Sequence, residues 1–349
     1  MQYGFGDGLG HGLALSGELH ADYPAVALVA DAHNELLLLQ MVERLGYGGH
    51  SAIFKSGGAG SLIPPFAFAE SATSPYSYPV SSPAPLLIDF ENLTVARGDR
   101  RVLCGFTLQI RRGEHIALLG PNGSGKSTLV KLITCELYPE TGFRGTRFQL
   151  FGLDNWALED VRQRIGIVAL DLLQNLSHEV LARQVTAREM VLSGFFNSLG
   201  LWPHHRPTPA HERRARELLR FLEISHLASR PLSAMSSGEQ RRAMIGRALV
   251  HDPEALILDE PTTSLDPGAV REFRGVLRKL ARAGKSLILV THHIADLIPE
   301  IERVILMKGG AIVADGPKAK MLTSAALSRL FGAKLRVVRR GANYDVMSA

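Results

Sequence analysis

The chain predicts an α/β domain built on a mainly parallel sheet, with a helical subdomain inserted into it. Two observations carry this. Short apolar runs bounded by turn residues alternate with helical runs from residue 86 to about residue 332; such alternation calls for the crossover connections that make parallel sheets. Between about residues 172 and 232 the strand signals vanish, and that stretch reads as helix alone.

The elements follow in order. Residues 87–90 and 106–110 read as early strands, and residues 115–119 as a buried strand with a helix at 126–136 behind it. Another short strand is expected at 165–168. In residues 212–222, Leu218, Leu219 and Leu222 share one side while Arg213, Arg216 and Arg220 lie elsewhere, which is the pattern of an amphipathic helix. Residues 255–258 and 287–291 are apolar runs with turn signals beside them. Residues 304–307 and 311–314 predict a hairpin across Lys308-Gly309-Gly310. The tail, residues 333–349, has room for a strand at 335–339. Ahead of the domain, residues 1–85 read as an N-terminal extension that is largely disordered or linker-like. Glycine alternates at Gly4, Gly6, Gly8, Gly10 and Gly12, and residues 71–85 are crowded with Ser and Pro. Between these ends, residues 25–30 and 35–45 suggest one strand–helix pair.

Composition narrows the class. The 349 residues are 46% hydrophobic and 21% charged, enough to bury a large core and against disorder of the whole chain. The formal charge of +5 suits anionic ligands, but no dense Lys/Arg run argues for nucleic acid. Cys104 and Cys135 have neither disulfide nor zinc spacing, and a reducing, cytoplasmic setting fits them. No apolar run approaches the ~20 residues that a membrane-spanning helix needs.

The chemistry concentrates in two segments. Gly120-Pro121-Asn122-Gly123-Ser124-Gly125-Lys126-Ser127-Thr128 matches the phosphate-binding pattern G-x-x-x-x-G-K-[ST], with a buried strand before it and a helix after it. Its glycines let the backbone aim N–H groups at phosphate oxygens, and the helix start adds its positive end. Lys126 supplies a charge for the outer phosphates of a nucleotide, and Ser127 a hydroxyl for Mg²⁺. About 130 residues later, four apolar residues end in Asp259 and Glu260. Ligands of a parallel sheet gather at that end of its strands. Asp259 is placed to hold Mg²⁺, and Glu260 to act as general base on an attacking water.

A third segment carries a family resemblance. Met235-Ser236-Ser237-Gly238-Glu239-Gln240, followed by Arg241, Arg242 and a helical run through Leu249, resembles the L-S-G-G-Q signature of ABC ATPases in variant form. Ser237 stands for the first Gly, Glu239 for the Gln and Met235 for the Leu. Ser264-Leu265-Asp266 resembles the family's D-loop, and His292, rather than His293, its switch histidine. The resemblance spans about residues 86–332 and implies a P-loop NTPase sheet domain with an inserted helical subdomain of ABC type. It implies ATP and Mg²⁺ as ligands and Glu260, His292 and Lys126 as the catalytic set. It also implies a homodimer, or a paired ATPase subunit, in which residues Ser236, Ser237, Gly238 and Glu239 complete the partner's ATP site.

Two positions depart from the family pattern. Arg97 occupies the place of the aromatic residue that stacks on adenine; it either stacks as a guanidinium or is a surface charge. Leu170 holds the Q-loop slot, and Gln174 either takes over the Mg²⁺-sensing role or is a plain surface residue. Residues 188–198 are similar to ABC ATPases connected with molybdenum transport and photorepair. Phe195, Phe196 and Trp202 there pack in the core or face a partner. Two functions share this engine. One is an energy-coupling subunit, peripheral to the membrane through a separate permease and working as an importer. The other is a non-transport, ATP-gated module acting on nucleic acid, ribosomes or a regulatory partner.

Overall fold

The computed structural model describes residues 84–169 and 183–348. The strand–helix pair expected at 25–45, and Leu170 and Gln174, lie outside the described residues.

Strands β1 (Leu86–Arg97) and β2 (Arg100–Arg111) form an antiparallel hairpin, and β4 (Arg147–Leu150) pairs antiparallel along the other side of β1. The early strands therefore lie in a separate three-stranded sheet, not in the parallel one. The reason is local: only Gly98 and Asp99 join β1 to β2, with Gly98 at φ 58°, and so short a loop can join only antiparallel neighbours.

The main sheet runs β5 (Ile165–Ala169), β6 (Ala255–Asp259), β7 (Ser286–Thr291), β3 (His115–Leu119), β8 (Arg303–Lys308), β9 (Ala311–Pro317). Every neighbour is parallel except the expected β8–β9 hairpin at the edge. All six residues of β7 are buried, as a central strand covered on both faces requires. The pleat divides the core in two. Ile116, Leu118, Ile257, Ile288 and Val290 face one cluster with β1, β2 and helix α1 (Lys126–Ile133). Ala117, Leu119, Leu256, Leu258, Leu287 and Leu289 face the other. Helix α1 stops short of the expected residue 136 because Cys135 turns into the left-handed region at φ 57°.

The chain continues through α2 (Leu158–Arg164) and, beyond residue 182, α3 (Ala187–Ser193) and α4 (Pro209–Phe221). Helix α4 covers the amphipathic run: Thr208 caps it, Pro209 opens it, and Ala215, Leu218 and Leu219 are buried. Helices α3 and α4 pack with α5 (Ser237–Ala248) against the second cluster. Phe195 packs against the same core, as one of the two expectations had it, and Trp202 is exposed. Helix α6 (Pro267–Arg282) buries Phe273, Val276, Leu277, Leu280 and Ala281, the i, i+3, i+4, i+7, i+8 stripe of a helix laid on a sheet.

After α7 (Lys318–Met321) and α8 (Ser324–Phe331), the tail holds a hairpin, β10 (Leu335–Arg340) with β11 (Asn343–Ser348), where one strand was expected. Its Leu335, Val337, Tyr344 and Val346 pack on the second cluster, and Arg274 of α6 donates to Asn343 Oδ1 at 2.6 Å. Among the described residues, no helix is long and apolar enough to cross a membrane.

The turn between β8 and β9 is seated tightly. Gly310 adopts φ 81°, its N–H donates to the Ser124 carbonyl at 3.0 Å, and a Cβ there would overlap the Val102 carbonyl. Gly310→Ala should therefore destabilise the domain by ~1–3 kcal/mol, the range of a strained backbone site. Urea unfolding checks this; an unchanged midpoint would mean that the turn yields without cost.

Candidate active site

The C-terminal ends of β6, β7 and β3, three adjacent strands, deliver the candidate residues to one place. Beyond β3, Gly123 (φ 76°) and Gly125 (φ 101°) take left-handed conformations that turn the loop back into α1. Gly120 has no room for a side chain, since a Cβ would overlap the Met307 carbonyl and press on Ser124 Oγ. Lys126 is buried and its Nζ donates to the carbonyls of Gly120 at 2.7 Å and Pro121 at 3.2 Å. Burial pulls the Lys126 ammonium below its usual pKa, against the opposing pull of Glu260 and Asp259. Ser124 Oγ is buried with no hydrogen-bond partner among the described residues, an orphan that an anion in the loop would satisfy.

Across the cavity, Asp259 ends β6 and Glu260 follows at φ 50°, with its N–H donating to the Val290 carbonyl at 2.8 Å. This conformation aims the carboxylate at His292, one residue past β7: Glu260 Oε1 lies 2.7 Å from His292 Nδ1. Thr263 Oγ1 donates to the other oxygen at 3.3 Å.

These residues line a cavity of about 590 Å³. Arg97, Asn122, Gly123, Ser124, Gly125, Lys126, Ser127, Thr128, Asp259, Glu260 and His292 all stand on its wall. Arg97 comes from the end of β1, where Arg100 is its register partner. Ser127 and Asp259 offer a hydroxyl and a carboxylate to the same space, a hard-oxygen pair that fits Mg²⁺. The arrangement can take a polyphosphate against the loop and hold a proton acceptor on the facing wall.

Ser236, Ser237, Gly238 and Glu239 are not brought to this cavity; they begin α5. Ser236 is its N-cap, and the two side chains are reciprocal: Ser236 Oγ accepts from the Glu239 N–H at 3.3 Å, and the Glu239 carboxylate accepts from the Ser236 N–H at 2.8 Å. That backbone bond holds the Glu239 carboxyl below its usual pKa.

Sequence reasoning missed Arg100, Arg101, Val102 and Thr263 on the wall, and took Gly309 and Gly310 for a turn only. It also missed the support behind the wall. Arg241 of α5 is buried and donates to the carbonyls of Pro261 and Thr263, and burial pulls its pKa to about 10. Asp296, equally buried, accepts from the hydroxyls of Thr262 and, at 2.5 Å, Thr291. The polar residues flanking Glu260 and His292 are thus tied to one carboxylate. An Asp four residues past a strand-end His was the available signal for it.

Comparison with known proteins agrees with this geometry. Residues 103–263 match the family model described as ABC transporter. A putative ABC transporter ATP-binding protein of Streptococcus mutans is 30% identical over 257 residues, which cover 72% of this chain and 94% of that protein. The phosphonates import ATP-binding protein PhnC of Alcaligenes faecalis is 32% identical over 258 residues, 71% of this chain and 89% of its own. Among solved structures, cbiO1 from Clostridium perfringens, part of the ABC transporter complex cbiONQ, aligns with a TM-score of 0.58 at 28% identity, covering 70% of this chain and 94% of that one.

Arg241→Met would keep most of the buried volume and leave the Pro261 and Thr263 carbonyls unpaired. A loss of ~1–3 kcal/mol per stranded group is expected, read as a lowered unfolding midpoint with a parallel fall in ATPase rate. A variant as stable and active as the parent would remove Arg241 from the support of the site.

Proposed function

Since the chain belongs to the ATP-binding proteins of ABC transporters, we propose that it powers a separate membrane permease, in the importing direction, through ATP-driven closure of a dimer. Members of this family hydrolyse ATP, and this chain is an ATPase. The observation that carries the mechanism is the 2.7 Å contact between Glu260 Oε1 and His292 Nδ1 on the cavity wall shared with the phosphate loop.

In this reading the loop from Gly120 to Thr128 holds the phosphates through its backbone N–H groups, and Lys126 exchanges its two loop carbonyls for phosphate oxygens. Ser127 and Asp259 would hold Mg²⁺, which when bound neutralises charge developing on the phosphates. Glu260 takes a proton from the attacking water, and His292 orients that carboxylate while reaching the outer phosphate. Arg97 lies against the base. Residues 236–239 are absent from their own chain's cavity wall, which supports a role in the cavity of a second copy, where the start of α5 would meet the nucleotide. Closure of two such sites, and release after hydrolysis, is the stroke passed to the permease, with the protein at the cytoplasmic face. The import names among its relatives, such as PhnC, support the direction. The similarity of residues 188–198 to ABC ATPases connected with molybdenum transport and photorepair supports a narrower placement beside that group.

Glu260→Gln should lower turnover by ~10²–10⁴-fold, the usual worth of a general base, with ATP binding retained; parental turnover would remove Glu260 from the mechanism. The same variant, purified with ATP from detergent-solubilised membranes of its own cell, should bring down a polytopic membrane protein in stoichiometric amount. Recovery of soluble proteins or nucleic acid alone would favour the non-transport module instead.

A further inference from the structure

His293 is not needed by the hydrolytic scheme, yet it sits beside it. Its ring centroid lies 3.8 Å from that of His292, inclined at 43°. Its N–H donates to Thr291 Oγ1 at 2.9 Å, the same hydroxyl that donates to Asp296, so the turn presenting both rings is fixed from the buried side. Glu260, His292 and His293 can each offer a donor atom such that all three atoms lie within 4.8 Å of one another. Among the described residues, no other trio of His, Cys, Asp or Glu donors converges as closely.

Two imidazoles and one carboxylate are a poor set for magnesium, which takes oxygen donors, and a good one for zinc and its neighbours. Zinc bonds of ~2.0–2.2 Å at tetrahedral angles place donor atoms roughly 3.3–3.6 Å apart. Glu260 Oε1 and His292 Nδ1, at 2.7 Å, would open slightly, and the three donor atoms start within 4.8 Å of one another. Glu260 and His292 are half-buried and His293 is exposed, which leaves the entry path, and a fourth position for water, on the solvent side.

We infer that Glu260, His292 and His293 form a binding site for a divalent transition-metal ion of the zinc class, and that its occupancy arrests the ATPase. The ion takes the facing lone pairs of His292 Nδ1 and Glu260 Oε1, the proton between them passing to solvent, and so occupies the carboxylate lone pair that a water would use. Neither residue then serves the phosphate side of the cavity. The binding half stands on the donor geometry alone; the arrest half rests on the hydrolytic reading above.

The test uses the full chain, stripped of metal by chelator and titrated with ZnCl₂ by calorimetry without nucleotide or magnesium. His293→Ala should lose one equivalent of bound Zn²⁺ relative to the parent. Cys104→Ser, which removes the exposed thiol, should lose none. In a separate assay with Mg·ATP, low Zn²⁺ should stop the parent and EDTA should restore it. His293→Ala should keep the basal rate and need about tenfold or more Zn²⁺ for the same inhibition, at least the cost of losing a supporting partner at a metal. Equal Zn²⁺ binding and equal inhibition in the parent and His293→Ala would overturn the proposal while leaving the hydrolytic reading intact. A parent that binds the extra equivalent but has no ATPase in any metal state would uphold the site and sink the hydrolytic reading.

Discussion

Everything at the cavity depends on the pairing of three parallel strands without slippage. Leu119 of β3 lies opposite Thr291 of β7, and Val290 opposite Asp259 of β6. The phosphate loop, the acidic pair and His292 therefore leave the sheet at nearly the same height. A slip of one residue would turn each strand's side chains to the opposite face. It would expose Ile116, Leu118, Ile257 and Ile288 to the wrong cluster, so the same apolar alternation that divides the core also fixes the site's geometry. The height at which the chemistry leaves the sheet is thus set first by hydrophobic burial.

A second layer of constraint runs through polar atoms. Arg241 ties α5, which opens with Ser237, to the loop after Glu260. Asp296 ties that loop, through Thr262, to Thr291 and so to the base of His292. A displacement of the start of α5 has a continuous hydrogen-bonded route to both Glu260 and His292. Buried polar groups of this kind are costly to leave unmatched. They give the loop one preferred arrangement where loose packing would allow several.

The parts of this arrangement that were legible in the sequence are those with local signatures. The loop from Gly120 to Thr128 shows itself by glycine spacing between a strand and a helix, and Asp259-Glu260 by their place at the end of an apolar run. His292, preferred over His293 on the family resemblance, is the one that lines the cavity and meets Glu260. What stayed hidden is long-range. Nothing near Arg147 announces that β4 pairs with β1, since short edge strands carry little alternation. Arg241 looks like half of a surface basic pair with Arg242, and only the tertiary fold buries it. The strand β11 has intermediate and exposed residues throughout, so it lacks the apolar run that would mark it.

The seating of Gly310 against the phosphate loop also has a bearing on how the protein is made. One wall of the cavity comes from residues 120–128, and the turn that bonds to it comes from residues 309–310, well over a hundred positions later. At ribosomal speeds of ~5–20 residues per second, roughly 10–40 s separate the emergence of the two. For most of that interval the nascent loop has neither β7 beside β3 nor the turn against Ser124, and so has no finished pocket. Nucleotide can stabilise this fold only after nearly all of the domain has left the ribosome. Its early folding relies on the β1–β2 hairpin and the apolar strand behind it.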